Sequence, residues 1–418
     1  MATSIAELIL VSLLGAWLLG KVRIPGLVGM LLAGVVFGPY VLGWIDPELL
    51  GVGQDLRLMA LIVILLRAGF ELSRSVLHRV GGRALLLAFV PASLEIGAIT
   101  LAGPRLLGLS TMGAALLGSV LAAVSPAVVV PMMIGLIQQR RGARKGIPTM
   151  VLAASSVDDV YVIVVFGVMV GLYTGVEANL AWQLAGIPIS IVLGVAVGLL
   201  VGWGLYRLFD RFNPRATKRV LAIVAASLLL LRLQHVLAGW LPFAALVSAM
   251  AIGVIFLERR ERMAHEISAK LGKVWILAEI LLFTLVGAQV NLPVAWEAGL
   301  AGAGVILIGL LARSGGVWLS LLGSDLTARE RLFVNVAYLP KATVQAAIGA
   351  VPLAAMSAAG MDTAPGELIL AMAVLAILLT APAGAWAISL LGPRTLEIAP
   401  VDCDDARRAA AEAGGDED

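Results

Sequence analysis

The sequence is short of nearly everything that a water-soluble or secreted protein depends on. One residue in 418 is cysteine, Cys403 near the C-terminus. No disulfide framework and no cysteine-based metal site can therefore form within one chain. There are three histidines, His78, His235 and His265, at expected helix ends or loops, where they read as interfacial rather than catalytic. Charged residues make up only 14% of the chain, and typical globular domains carry about 25%. A chain so poor in charge cannot clothe a folded surface in water. A cleavable leader is also missing from the expectation, because the first apolar stretch, Ile5 to Gly20, has no basic segment before it and no small-residue exit.

What is present is apolar sequence in long runs. Hydrophobic residues are 60% of the chain and mean hydropathy is +1.00. Thirteen runs stand out, near residues 5–20, 25–42, 57–73, 84–102, 111–136, 148–173, 182–206, 218–236, 239–257, 273–291, 298–322, 327–353 and 366–391. A hydrocarbon core takes about 20 helical residues to cross, so each run is long enough once tilt is allowed. Backbone groups must pair internally in lipid, which leaves helices, since none of the runs alternates as barrel strands do. The expected fold class is an all-α polytopic membrane protein with 13 transmembrane helices.

The pI of about 9.2 would suit a nucleic-acid binder, but the basic residues sit in short loops. Lys21 and Arg23, Arg74, Arg79 and Arg83, and Arg140, Arg141, Arg144 and Lys145 open an alternating series. Arg207 to Arg219, Arg259 to Lys273, Arg329 and Arg331, and the tail continue it, while the opposite loops hold little beyond Arg57 and Arg105. Positive residues stay on the cytoplasmic side, so the N-terminus is expected outside and the C-terminus inside. No nucleic-acid partner is expected; membrane lipid is.

The two halves resemble each other. Ala33-Gly34-Val35-Val36-Phe37 returns as Ile252-Gly253-Val254-Ile255-Phe256, and Gly69 returns as Gly287, each at an offset near 218 residues. That offset advances the chain by seven spans, so the second copy is inserted upside down, an inverted repeat. Pro126 in the fifth span and Pro340 in the twelfth are again seven spans apart. Proline removes a backbone donor and clashes with the preceding turn, so both helices are expected to break at mid-membrane. Opposed helix ends would leave bare N–H and C=O groups, a dipolar cradle for ions.

Beside those breaks lie the charges. The sixth span contains Ser155-Ser156-Val157-Asp158-Asp159. One charge at mid-bilayer costs about 2.5–3.5 kcal/mol on insertion scales, so two adjacent acids call for partners or a purpose. Neighbouring carboxylates in a low dielectric resist being charged together, so one site can hold either a proton or a cation. Asp158, Asp159, Ser155 one turn away, and Ser125 at the first break are the candidate cation- and proton-binding residues, with Asp159 and Asp158 as the ligands of Na⁺ or Li⁺. Lys341 at the second break is expected to balance an aspartate. Glu95 and Arg313 differ by the repeat offset and are expected to meet as an ion pair. Glu279 has no evident partner, and Arg67 is read as snorkelling or pairing with Glu71. No enzymatic triad, no catalytic residue and no cofactor are expected.

Five stretches carry a family resemblance: Ile24-Pro25-Gly26-Leu27-Val28-Gly29-Met30-Leu31-Leu32-Ala33-Gly34, Leu66-Arg67-Ala68-Gly69, Ser155-Ser156-Val157-Asp158-Asp159, Arg313, and Leu339-Pro340-Lys341-Ala342-Thr343-Val344-Gln345-Ala346-Ala347. On them the chain resembles the monovalent cation:proton antiporter superfamily 2, in its bacterial NHA-type Na⁺/H⁺ branch. The resemblance implies the NhaA/NapA-like antiporter fold, with two broken crossing helices, in a homodimer of the bacterial inner membrane. It divides the chain into scaffold helices at 1–80 and 211–295, a linker helix at 176–210, core helices at 81–175 and 296–392, and a cytoplasmic tail at 393–418. It implies an elevator-like shift of the core, cation and proton competing at Asp159 beside Asp158, and Lys341 near the aspartates. The best-known electrogenic members carry lysine where Arg313 stands, and arginine does not release its proton. A K⁺/H⁺ antiporter or Kef-like K⁺ efflux transporter is the alternative, although its relatives usually carry Gln-Asp and an added nucleotide-binding domain.

Overall fold

The structure is a computed structural model that describes residues 2–21, 24–71, 74–174, 180–237, 240–241 and 243–398. The acidic tail beyond residue 398 lies outside the described residues. All regular structure described is helical: α1 (Ala2–Lys21), α2 (Gly26–Phe37), α3 (Pro47–Gly51), α4 (Gly53–Glu71), α5 (Arg74–Leu106), α6 (Thr111–Leu121), α7 (Pro126–Gln138), α8 (Ile147–Tyr173), α9 (Leu180–Phe212), α10 (Ala216–Leu237), α11 (Ala245–Arg259), α12 (Glu261–Ala288), α13 (Leu292–Ser320), α14 (Ala328–Ala337), α15 (Thr343–Ile348), α16 (Val351–Ala358) and α17 (Ala364–Thr395).

Among the described residues, eight segments are long and apolar enough to cross a membrane, one of them the joined pair α6 and α7. Four of the other expected spans depart from that standard for local reasons. The second helix has 12 residues and α11 has 15. Charges interrupt α4 at Asp55, Arg57 and Arg67. The expected twelfth span lies in three pieces, α14, α15 and α16, where two were expected; the added break falls at Gly349 and Ala350, just before Pro352. Several helices overrun the apolar runs, with α5 beginning at Arg74 and α12 at Glu261, where charged loops were expected. Lysine, arginine and glutamate are good helix formers, so a helix continues past the point where hydropathy stops reporting it.

Packing sorts the helices into two groups. In one, α2 lies against α12, α4 against α11 and α12, and α9 along α11. Here the repeated glycines matter. A Cβ on Gly34 would overlap the main chain at Thr284, and one on Gly253 would overlap Gly69 and Phe70. Lipid gives no hydrophobic drive between helices, so such backbone-to-backbone approach supplies the association. In the other group, α5 runs along α13 and also packs on α6 and α8, while α17 lies on α13 and α14. The short helix α15 touches both groups, at α4 and α12 and at α6 and α17.

Candidate functional site

Two interrupted helices cross in the interior of the second group. The first stops at Ala122 and restarts at Pro126 with Ser125 as its N-cap; the second stops at Tyr338 and restarts at Thr343. Pro126 opens the helix after the first gap and Pro340 stands in the second, and proline cannot carry the intrahelical ladder onward. The gaps are joined to each other. Ser125 N–H donates to Pro340 C=O at 2.9 Å, and the Ser125 and Thr343 hydroxyls lie 3.3 Å apart. Ser125 and Thr343 are separated by 218 residues, the repeat offset, so the crossing sits on the pseudo-twofold axis.

Broken ends expose carbonyls that lipid cannot satisfy. Gln345 Nε2 donates to Leu121 C=O at 3.2 Å and Ala123 C=O at 2.8 Å. Arg313, fully buried on α13, covers the rest. Its Nε donates to Tyr338 C=O at 3.0 Å and its Nη1 donates to Ala122 C=O, so one guanidinium faces the negative ends of both α6 and α14. Nη1 also donates to Glu95 Oε2 at 2.9 Å, and Nη2 donates to Asp158 Oδ1 and Oδ2 at 3.0 and 3.1 Å. Val124 N–H donates to Asp158 Oδ2 at 2.9 Å.

The structure brings the candidate residues together but distributes their work unlike the sequence reading. Lys341 was to balance an aspartate; its Nζ instead donates to Glu95 Oε2 at 2.7 Å, and Arg313 faces Asp158. Geometry decides this, since a fork of five donors can bridge two carboxylates and two helix ends at once, whereas an ammonium acts as a point. Lys341 N–H is taken by the Thr380 hydroxyl at 2.8 Å. The Ser155 hydroxyl donates to Leu152 C=O at 3.0 Å, so its proton is not given to Asp159 one turn later.

Asp159 stands apart. It is 2% exposed, and its Oδ1 is buried without a hydrogen-bond partner among the described residues. Three buried carboxyls (Glu95, Asp158, Asp159) meet two buried cations (Arg313, Lys341) at the crossing. Full ionisation would leave one negative charge uncompensated. No cluster of three or more His, Cys, Asp or Glu side chains able to hold a metal occurs among the described residues.

Sequence reasoning missed the Arg313–Asp158 pair, Gln345 and Thr380. The available signal was arithmetic: a buried guanidinium has five N–H groups and Glu95 alone cannot accept them all. Outside the crossing, Glu279 of α12 finds Arg67 of α4 as its electrostatic partner, and the Glu71 side chain lies outside the described residues.

Comparison with known proteins agrees with this geometry. Residues 9–391 match the family described as sodium/hydrogen exchanger, transmembrane. Human sodium/hydrogen exchanger 9B2 is 32% identical over 401 residues, covering 92% of this chain and 73% of that protein. Human sodium/hydrogen exchanger 9B1 is 31% identical, covering 92% of this chain and 76% of that protein. In fold the chain is similar to the sodium proton antiporter MjNhaP1 of Methanocaldococcus jannaschii, solved at pH 8, with a TM-score of 0.80 at 22% identity over 94% of this chain and 97% of that one. Nothing in these matches favours the potassium alternative, and the activity they share is transport rather than enzymatic conversion. The match runs over nearly the whole membrane part of the chain, in an all-helical fold like that of the archaeal antiporter: the chain belongs to the sodium/hydrogen exchanger family.

Proposed function

We propose that the chain exchanges Na⁺ or Li⁺ for H⁺ by alternating access, with both ions competing for Asp159. The observation that carries this reading is the unpartnered buried oxygen of Asp159 beside one uncompensated negative charge. A low-dielectric interior does not tolerate that charge bare. One proton or one small cation neutralises it, and the two are mutually exclusive at a single carboxylate. Asp158, with Arg313 and Val124 on its oxygens, acts as the anchor of the crossing, and Ser155 and Ser125 are neutral oxygens within the site. Glu95, Arg313 and Lys341 hold the two helix breaks in register.

The remaining features of the reading follow from the same plan. Thirteen crossings, some of them made by helices that are short, charged or broken, put the N-terminus outside and the C-terminus in the cytoplasm of a bacterial inner membrane. The group containing α5 to α8 and α13 to α17 is the moving core, and the glycine-packed group is the scaffold, paired with a second copy in a homodimer. Proteoliposome exchange tests the reading: wild type moves protons on addition of Na⁺ or Li⁺, and Asp159→Asn abolishes this while remaining folded. Wild-type-like exchange by Asp159→Asn would overturn the assignment.

A further inference from the structure

The acids do not account for every unsatisfied oxygen at the crossing. Tyr338 is fully buried at the end of α14, and its hydroxyl has no hydrogen-bond partner among the described residues. A buried phenol ordinarily finds a partner for its O–H. Asn335 Oδ1, three residues earlier and so on the same side of the helix, is in the same condition, as is Asp159 Oδ1 on α8. Helix α14 packs against α8. The tyrosine is also held in place. Its C=O accepts Arg313 Nε at 3.0 Å, and its ring lies 5.4 Å from the Arg313 Cζ. The same guanidinium pairs with Asp158, the neighbour of Asp159.

We infer that the Tyr338 hydroxyl, with the Asn335 side-chain oxygen beside it, is a neutral ligand for the cation held by Asp159 and sets which monovalent cation the site prefers. The inference rests on the reading of Asp159 as the exchange site. A small hard cation that sheds its water needs several oxygens, and one carboxylate with two serines leaves the set small. Phenol and amide oxygens complete the set without adding negative charge, so a single proton still suffices to displace the cation. A hydroxyl also serves both states: it turns a lone pair to the cation, or its O–H to the carboxylate once the cation leaves. Arg313 over the ring and on the Tyr338 C=O limits how far the phenol oxygen can move, and an oxygen of limited movement discriminates by ion radius.

The test is Tyr338→Phe, which removes the hydroxyl and keeps the ring under Arg313. In proteoliposomes the KM for Na⁺ should rise about tenfold, the scale of one lost polar contact, with kcat little changed and with Na⁺ preferred less strongly over K⁺. Thermal unfolding in detergent should retain the wild-type midpoint without Na⁺ and show a smaller upward shift when Na⁺ is added. Asn335→Ala, read the same way, should raise KM in the same direction and decides the matter if Tyr338→Phe does not fold. Unchanged KM and unchanged Na⁺/K⁺ preference in the folded variants would overturn the inference. Asp159→Asn in parallel separates the two levels: active Asp159→Asn sinks the site itself, whereas inactive Asp159→Asn with unaltered Tyr338→Phe and Asn335→Ala sinks only the ligand role.

Discussion

At the scale of single residues, neighbouring acids have opposite situations. Asp158 accepts from Arg313 twice and from Val124 once, while Asp159 leaves an oxygen bare. Removing one partner of a buried pair costs about 3–5 kcal/mol because the other charge is left uncompensated. Asp158→Asn should therefore lower the thermal midpoint of the purified protein clearly. Asp159→Asn removes a charge that forms no ion pair among the described residues and should leave the midpoint equal to or above wild type while abolishing exchange. Arg313→Lys should also lower the midpoint, since an ammonium cannot cover Tyr338 C=O, Ala122 C=O, Glu95 and Asp158 together. Thermal scans of the three variants side by side check the ranking.

At the scale of elements, the breaks are stabilised by side chains from the opposite broken helix. Gln345→Leu would leave Leu121 and Ala123 C=O without their donor, at a cost of about 1–3 kcal/mol for each unsatisfied group. A lower midpoint and slower exchange are expected, measured on the same preparations. Gly253→Val should separate α4 from α11, because the added carbons meet the main chain of Gly69 and Phe70. It should reduce the yield of folded protein on size exclusion. The breaks at Pro126 and Pro340 were legible in the sequence because proline announces a missing donor. The third break, at Gly349 and Ala350, was not read from the sequence, although Pro352 beside it carries the same signal. Helix ends at Arg74 and Glu261 were illegible for a different reason: hydropathy reports the lipid, not the helix. The aspartates declared themselves as charges out of place, as did Glu95, Arg313 and Lys341. Which cation faces which acid depended on how far each side chain reaches across helices distant in sequence. Tyr338 and Asn335 looked like ordinary residues of a helix end, and only burial without partners singles them out.

At the scale of the whole molecule, charge counting limits the cycle. Arg313 keeps its charge, and under the proposed exchange at Asp159 one vacancy is filled by one proton or one cation. Apparent Na⁺ affinity should fall as pH falls, because protons occupy Asp159, while the maximal rate at saturating Na⁺ changes less. Na⁺ titrations of exchange at several pH values check the direction. If Lys341 stays protonated on Glu95 throughout, exchange is one for one and moves no net charge. A potential imposed with valinomycin should then leave the equilibrium Na⁺ distribution unaltered; a shifted distribution would mean that a second proton takes part.

The contacts on the pseudo-twofold axis also bear on how such a chain arose. Ser125 touches Thr343 and Glu95 touches Arg313, each residue meeting its own counterpart 218 positions away. In an ancestor assembled from two separate, identical half-length chains, each of these positions would have faced a copy of itself. Two hydroxyls can do that comfortably. Two glutamates or two arginines at the centre of a bilayer cannot, so the acid–base pair became available only after the halves were joined in one gene and free to diverge.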